Sequence, residues 1–260
     1  WIAEIHDPLV QRKNKLNFEP HFPRHANEKK KYWLEKKICL NANLAWWFTE
    51  GALEFARKRN PNLGMEGFAK GLVIVPGANP PNIKKNVNST KHKFGNHLSI
   101  SHFGSLTNDR SLVDILKVLP DFFLDYPHAK KYIRFNIFGA KLDTKSRNWL
   151  SKYSFSENVI EHGRLEFNSV TGLSGREQIA IQMQKSDILL LLHGNSEWCR
   201  EYIPSKLYDY FWTNRPIWGL IYENRQLTQL LIERNSYISD VENTSSIIEN
   251  LKKIYSQWQE

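Results

Sequence analysis

From residue 97 onward the chain repeats one pattern: a short apolar run, a polar or glycine-containing turn, then a longer stretch with apolar positions three and four apart. Runs too short for helices, each followed by an amphipathic stretch, mark strand–helix units, and strands joined through helices run parallel. Strands are expected at 97–103, 132–138, 158–161, 187–192, 216–221 and 237–239. A helix is expected from about residue 110, with Leu112, Ile115, Leu116 and Leu119 on one face, Asn108 or Asp109 as N-cap, and Pro120 and Pro127 punctuating its end. Further helices are expected at 145–153, 175–185, 204–212, 224–233 and 244–258. Six strands alternating with helices predict an open, doubly wound α/β sheet of Rossmann type.

The first 95 residues show the same pattern in incomplete form. A strand at 1–5 is followed by a long basic loop to about residue 27, a helix to about 40, a strand at 45–49, a helix at 50–60 and a strand at 72–75. Three strands and two helices make about half of a doubly wound domain, and Trp1 rather than Met stands first, so a domain lacking its natural beginning is expected. The expected division is a partial N-terminal domain at 1–95, a complete domain at 96–242, and a terminal helix at 243–260 with room to cross back to the first domain.

Charge follows that division. The formal net charge of +9 comes entirely from residues 1–93, with 17 Lys and Arg against 8 Asp and Glu, while residues 94–260 hold 19 of each. A concentrated basic region could face an anionic membrane surface, an anionic substrate or nucleic acid, or simply be solvated. No RRM, KH, helix-turn-helix or zinc pattern accompanies it, which disfavours nucleic acid. Cys39 and Cys199 form no CxxC or Cys/His cluster, so a reduced, cytoplasmic protein is expected, with no metal site. The longest aliphatic run, Ile188 to Leu192, is too short to span a bilayer, and residues 1–26 hold no signal-peptide core.

Open parallel sheets bind ligands beyond the carboxyl ends of their strands. After the strand at 97–103 come Gly104 and Ser105, where a ligand can approach the backbone, and Arg110, which can add a charge-assisted contact. This is neither GxGxxG nor a Walker loop. Further on, Pro204 suits a first helical position, which puts Ser205 and Lys206 in the first turn and Asp209 one turn along the same face. Two readings fit this spacing. One is a phosphate site with a carboxylate below it for a ribose diol; the other is an amphipathic helix with Lys206 and Asp209 as a surface pair.

The stretch Pro204-Ser205-Lys206-Leu207-Tyr208-Asp209-Tyr210-Phe211, followed by Asn214-Arg215-Pro216-Ile217, resembles the PSKLYEY and GRPI signature of GT-B-fold glycosyltransferases, in particular the family-4-like retaining group. Glu201 and Asp209 enclose seven residues, similar to that family's E-x7-E motif with Asp in second place. The likeness extends over the Phe138-Gly139 and His162-Gly163-Arg164 turns and the strand from Asp187, and upstream over Trp1 to Pro8, Trp47 to Glu50, and Val75 to Ala78. It implies a GT-B fold with a complete C-terminal Rossmann-like domain and a partial N-terminal one. Where many members have an Arg after the loop glycine and a Lys six residues later, this chain has Ser105 and Ser111.

The resemblance implies a donor site for a nucleotide-diphosphate sugar. Gly104 and Ser105 would approach the diphosphate or sugar, Arg110, Ser205 and Lys206 would bind phosphate, and Asp209 would bind ribose. The Gly163-Arg164 turn would abut the base, and His193 would reach the donor. Glu201 would sit near the sugar hydroxyls as a catalytic group, and His6, at a strand end, would orient acceptor or sugar hydroxyls; a structural role for His6 fits equally. The transition state is oxocarbenium-like and the diphosphate leaves with growing negative charge, so the cations can do the work of a divalent ion. No cofactor is expected beyond the donor substrate. The expected activity is hexosyl transfer to a glycan or lipid-linked acceptor in envelope or capsule polysaccharide synthesis, with Trp33, Trp46, Trp47 and Lys29 to Lys31 suited to the inner membrane face. For the Trp46–Trp47 pair, core packing fits better. A GT-B-like protein that binds the donor without turnover, and a basic membrane- or nucleic-acid-binding module, are the alternatives.

Overall fold

A computed structural model of the chain describes residues 1–7, 9–10, 26–61, 70–75, 77–79, 97–139 and 141–260. The basic loop before residue 26 and most of the polar stretch between the two regions lie outside the described residues. The chain divides into two compact units, one comprising Trp1–Gly77, Ser196–Pro204 and Tyr222–Gln229, the other Ala78–Asn195, Ser205–Ile221 and Leu230–Glu260.

In the first unit β1 (Ile2–Ile5), β2 (Leu44–Trp47) and β3 (Lys70–Val73) form a parallel sheet in that order, connected through α1 (Ala26–Asn41) and α2 (Glu50–Arg59). Ile5 pairs with Trp47 and Trp47 with Val73. Alternation sets the faces: Ala3, Ile5, Ala45 and Trp47 point inward onto Cys39, Ala52, Leu53 and Ala56. Trp47 is therefore core, and Trp46 is half-buried with its indole N–H on the Ile74 carbonyl at 3.2 Å. Thr49 caps α2 by accepting from the Ala52 N–H, with Glu50 in its first turn and Arg57, Lys58 and Arg59 in its last, the arrangement a helix dipole favours.

Three charged side chains are sealed inside this unit. Arg59 Nε and Nη2 donate to the two Glu35 oxygens at 2.9 and 2.7 Å, and Nη1 donates to both Glu201 oxygens at 2.9 and 3.1 Å. Asn60 Nδ2 adds a bond to Glu35 at 3.2 Å, and the Thr49 hydroxyl donates to the Glu201 carbonyl. The planar guanidinium matches two carboxylates at once, which ties α1, α2 and the turn Glu197–Glu201 together. Nearby, burial, reinforced by the Glu35 charge, pushes the Cys39 thiol up to about 12.

The second unit contains β4 (Leu98–Phe103), β5 (Ile133–Phe138), β6 (Val159–Gly163), β7 (Ile188–Leu192), β8 (Ile217–Ile221) and β9 (Tyr237–Asp240), all parallel, in the spatial order β6-β5-β4-β7-β8-β9. That is the doubly wound order, and it places the topological switch between β4 and β7, where Ile100 pairs with Ile188. Its helices are α3 (Val113–Leu116), α4 (Leu119–Asp125), α5 (Ala129–Tyr132), α6 (Thr144–Leu150), α7 (Gly175–Lys185), α8 (Lys206–Phe211) and α10 (Thr244–Gln259), while α9 (Arg225–Ile232) spans the boundary between the units.

Two details depart from the sequence reading. The helix expected from about residue 110 begins at Val113, because Thr107 and Arg110 close a turn through reciprocal backbone bonds of 3.0 Å and Asp143, not Asn108 or Asp109, accepts from Ser111 Oγ at 2.7 Å. Pro120 opens α4 instead of ending a helix; its missing N–H costs nothing in a first turn. The terminal helix belongs to the second unit. Ile247, Leu251, Ile254 and Tyr255 of α10 are buried, Asn250 donates to the Ile238 carbonyl at 2.8 Å, and Lys252 meets Asp125 of α4 at 2.7 Å, all within the second unit. The segments that join the first unit from beyond residue 95 are Ser196–Pro204 and Tyr222–Gln229.

Removing Arg59 leaves two buried carboxylates facing each other. Arg59→Met is expected to cost about 3–5 kcal/mol in urea denaturation; a loss below about 1 kcal/mol would show that the triad contributes nothing beyond what a hydrophobic side chain supplies.

Candidate functional site: the carboxyl rim of the second unit

Three consecutive strands of the second unit end on a ring followed by glycine: Phe103-Gly104, Phe138-Gly139 and His162-Gly163. The rings stack across β4, β5 and β6, with centroids 4.8 and 4.2 Å apart and planes within 5°. The glycines have φ of 112°, 98° and 69°. Gly104 N–H donates to the Phe138 carbonyl at 2.8 Å and Gly139 N–H to the Gly163 carbonyl at 2.7 Å, so the turns nest. A Cβ on Gly139 would stand 3.3 Å from the Gly104 backbone, and a positive φ disfavours any side chain there. The sheet therefore presents a rim of bare backbone at its switch point.

Behind that rim stands Lys206, at the start of α8. Its Nζ is 3.2 Å from His102 Nε2, and a Cβ on Gly104 would come within 2.9 Å of it. Burial, with the Arg110 guanidinium adding repulsion, lowers the ammonium to about 7. His102, fully buried on β4, is held well below the ordinary imidazole value by burial first and by the Lys206 charge second. Among the described residues Lys206 makes no ion pair with a carboxylate. Tyr210, also on α8, donates to the Leu190 carbonyl at 3.2 Å and accepts from the Phe103 N–H at 3.3 Å, fixing the helix against β4 and β7.

A cleft of about 770 Å³ opens from Gly104 and Gly139. Its walls include Arg164, Phe167, Arg176, Asp209 and Trp212, over an apolar floor of Ile179, Ala180 and Met183 from α7. The Asp209 carboxyl is raised by burial, an effect the Arg176 charge opposes. The lining, with Arg164 and Arg176 against Glu166 and Asp209 over an apolar floor, accommodates a ligand that is part ring, part polyol and part anion. Among the described residues no three His, Cys, Asp or Glu side chains converge so that they could hold a metal ion.

No protein-family profile matches the sequence, and no curated protein does. Solved structures do match. An α,α-trehalose-phosphate synthase (UDP-forming) from Burkholderia vietnamiensis superposes with a TM-score of 0.65 at 10% identity, over 98% of this chain and 59% of that one. The sucrose-phosphate synthase of Thermosynechococcus elongatus gives 0.62 at 10% identity, over 98% of this chain and 58% of that one. WaaG, a glycosyltransferase involved in lipopolysaccharide biosynthesis, gives 0.61 at 14% identity, over 90% and 60%. The fold is that of the GT-B glycosyltransferases. The chain spans about 58–60% of the length of these GT-B structures.

Within this GT-B fold the residues singled out from sequence separate. Gly104, Arg164 and Asp209 line the cleft, Lys206 stands behind Gly104, and Arg110 is near enough to repel Lys206. Gly163 supports Gly139 from the adjacent turn. Ser105 and Ser205 are exposed; Ser205 has helical backbone and forms no cap bond, and α8 is only six residues long, so Lys206 rather than a helix end carries the positive charge. Lys206 and Asp209 do not form the surface pair that their spacing allows. His193 follows β7, is buried, bonds through its N–H to the Leu220 carbonyl at 3.1 Å, and is not among the residues lining the cleft.

Two candidates belong to the first unit. Glu201 is buried with both oxygens on Arg59, and His6 is an exposed side chain 2.8 Å from Glu4, stacked on Phe48 at 4.2 Å. Sequence reasoning left out His102, Arg176, Phe167 and Trp212. For His102 the signal was a histidine in an otherwise small and apolar strand, two residues before the loop glycine; Arg176 follows Gly175 in the first turn of α7.

The low Lys206 value has a stability consequence. Between about 7 and its ordinary 10.5 the unfolded chain holds a proton that the folded chain has released, so the penalty is full below about 7 and disappears as pH rises through that window. Lys206→Met is expected to stabilise the ligand-free protein by about 1–3 kcal/mol at mildly acidic pH, with the gain fading toward pH ~10, in paired denaturant titrations. A variant less stable than wild type at acidic pH would contradict this placement of the ammonium.

Proposed function

We propose that this chain carries the donor half of a glycosyltransferase that moves a sugar from a nucleotide-diphosphate sugar. The observation that supports it most is Lys206: a partly buried ammonium beside Arg110, with no carboxylate partner among the described residues, at a bare-backbone turn on the switch point of a doubly wound sheet. Such a group is stabilised when an anion docks on the Gly104 turn. As a leaving diphosphate gains charge, the same two cations act where that charge grows, and transfer then needs no metal. Asp209 takes the ribose hydroxyls, and the apolar floor with Phe167 and Trp212 takes the base. A retaining outcome follows the resemblance in the sequence.

The acceptor in this proposal is a glycan or lipid-linked glycan of the cell envelope, with the enzyme on the cytoplasmic face. WaaG's role in lipopolysaccharide biosynthesis supports that reading. Among the described residues no helix is long and apolar enough to cross a membrane. One observation favours a second reading, donor binding without turnover: the Glu201 carboxylate is held by Arg59.

A nucleoside diphosphate is expected to raise the melting temperature of the protein, and Lys206→Ala to abolish that shift. No shift with UDP, GDP, ADP or TDP would overturn the donor site. Sugar release from a panel of nucleotide sugars by the full-length protein supports turnover, and binding without release supports the second reading.

A further inference from the structure

The His102 ring has backbone partners at Leu190 and Ser105 and lies against Lys206. Its Nδ1 lies 3.1 Å from the Leu190 carbonyl, which can only accept, so Nδ1 carries the proton. In a neutral ring protonated on Nδ1, Nε2 keeps a lone pair, and it faces Lys206 Nζ at 3.2 Å. The ring is fully buried on β4, and protonating it would set a second cation against Lys206.

Without this acceptor, Lys206 has a different partner available. Asp209 is three positions along α8, the spacing at which a lysine and an aspartate pair on a helix surface. The charged and titratable groups around the ammonium are His102 on β4, Arg110 in the turn after β4 and Asp209 on its own helix. Arg110 repels it, and His102 Nε2, 3.2 Å away, holds it beside Gly104. We infer that His102 is a positioning residue for Lys206: by accepting from the ammonium it holds that charge against the Gly104 turn and leaves Asp209 facing the cleft. The inference rests on the proposed diphosphate site only for what the positioned charge then binds.

The test separates the two. In the full-length protein, reactivity of Lys206 toward an amine-acylating reagent is followed by mass spectrometry across pH, and UDP affinity is measured by calorimetry. A neutral acceptor stabilises the charged lysine, so His102→Leu is expected to move the labelling midpoint to lower pH and weaken UDP about tenfold. His102→Gln, which keeps an acceptor, is expected to restore both. If His102→Leu does not fold, His102→Asn, whose shorter amide does not reach Lys206, takes its place beside His102→Gln. An unchanged midpoint with unchanged UDP affinity overturns the inference. A wild-type protein that ignores UDP, with a midpoint that still moves on substitution, overturns the diphosphate reading and supports the positioning of Lys206.

Discussion

An ammonium group set at the end of a parallel sheet, beside a guanidinium and without a carboxylate partner among the described residues, is held in a state that costs free energy. The second unit is arranged around that charge. Tyr210 ties α8 to β4 and β7, His102 takes one hydrogen bond from the lysine, and the glycine turns clear side chains from the space in front of it. The stacked rings of Phe103, Phe138 and His162 fix the three strand ends that carry those turns. Stability is given up at one point, where a positioned cation faces a turn free of side chains.

The first unit treats charge in the opposite way. Glu35, Arg59 and Glu201 are fully buried and satisfy one another, so the triad specifies how α1, α2 and the Glu197–Glu201 turn meet, and offers no group to a ligand. Glu201 is the residue for which resemblance implies a catalytic role. Its geometry is that of a tether, which is why donor binding without turnover stands as the second functional reading.

The alternation of aliphatic runs and amphipathic stretches was enough to place the strands and most helices of the second unit, because a parallel sheet buried on both faces leaves an unambiguous pattern in residues such as Ile188 to Leu192. Position along the chain said less about contacts across it. The start of α3 depends on Asp143, more than thirty residues away, and the docking of α10 depends on Asp125 and Ile238. At the site, Gly104, Lys206 and Asp209 were legible because their spacing carries chemistry. His102 was not: on a strand it reads as one more inward residue until α8 brings a lysine to its far nitrogen. The partner of Glu201 was equally hidden, since Arg59 lies 142 positions earlier.

In the proposed site the Gly104 turn and Lys206 receive the phosphates of a nucleotide whose ribose reaches Asp209. A crystal structure of the full-length protein with UDP tests this most directly. Phosphate oxygens are expected on the Gly104 backbone and the Lys206 ammonium, with the ribose hydroxyls on Asp209. UDP bound elsewhere, or a phosphate that leaves Lys206 untouched, would contradict it.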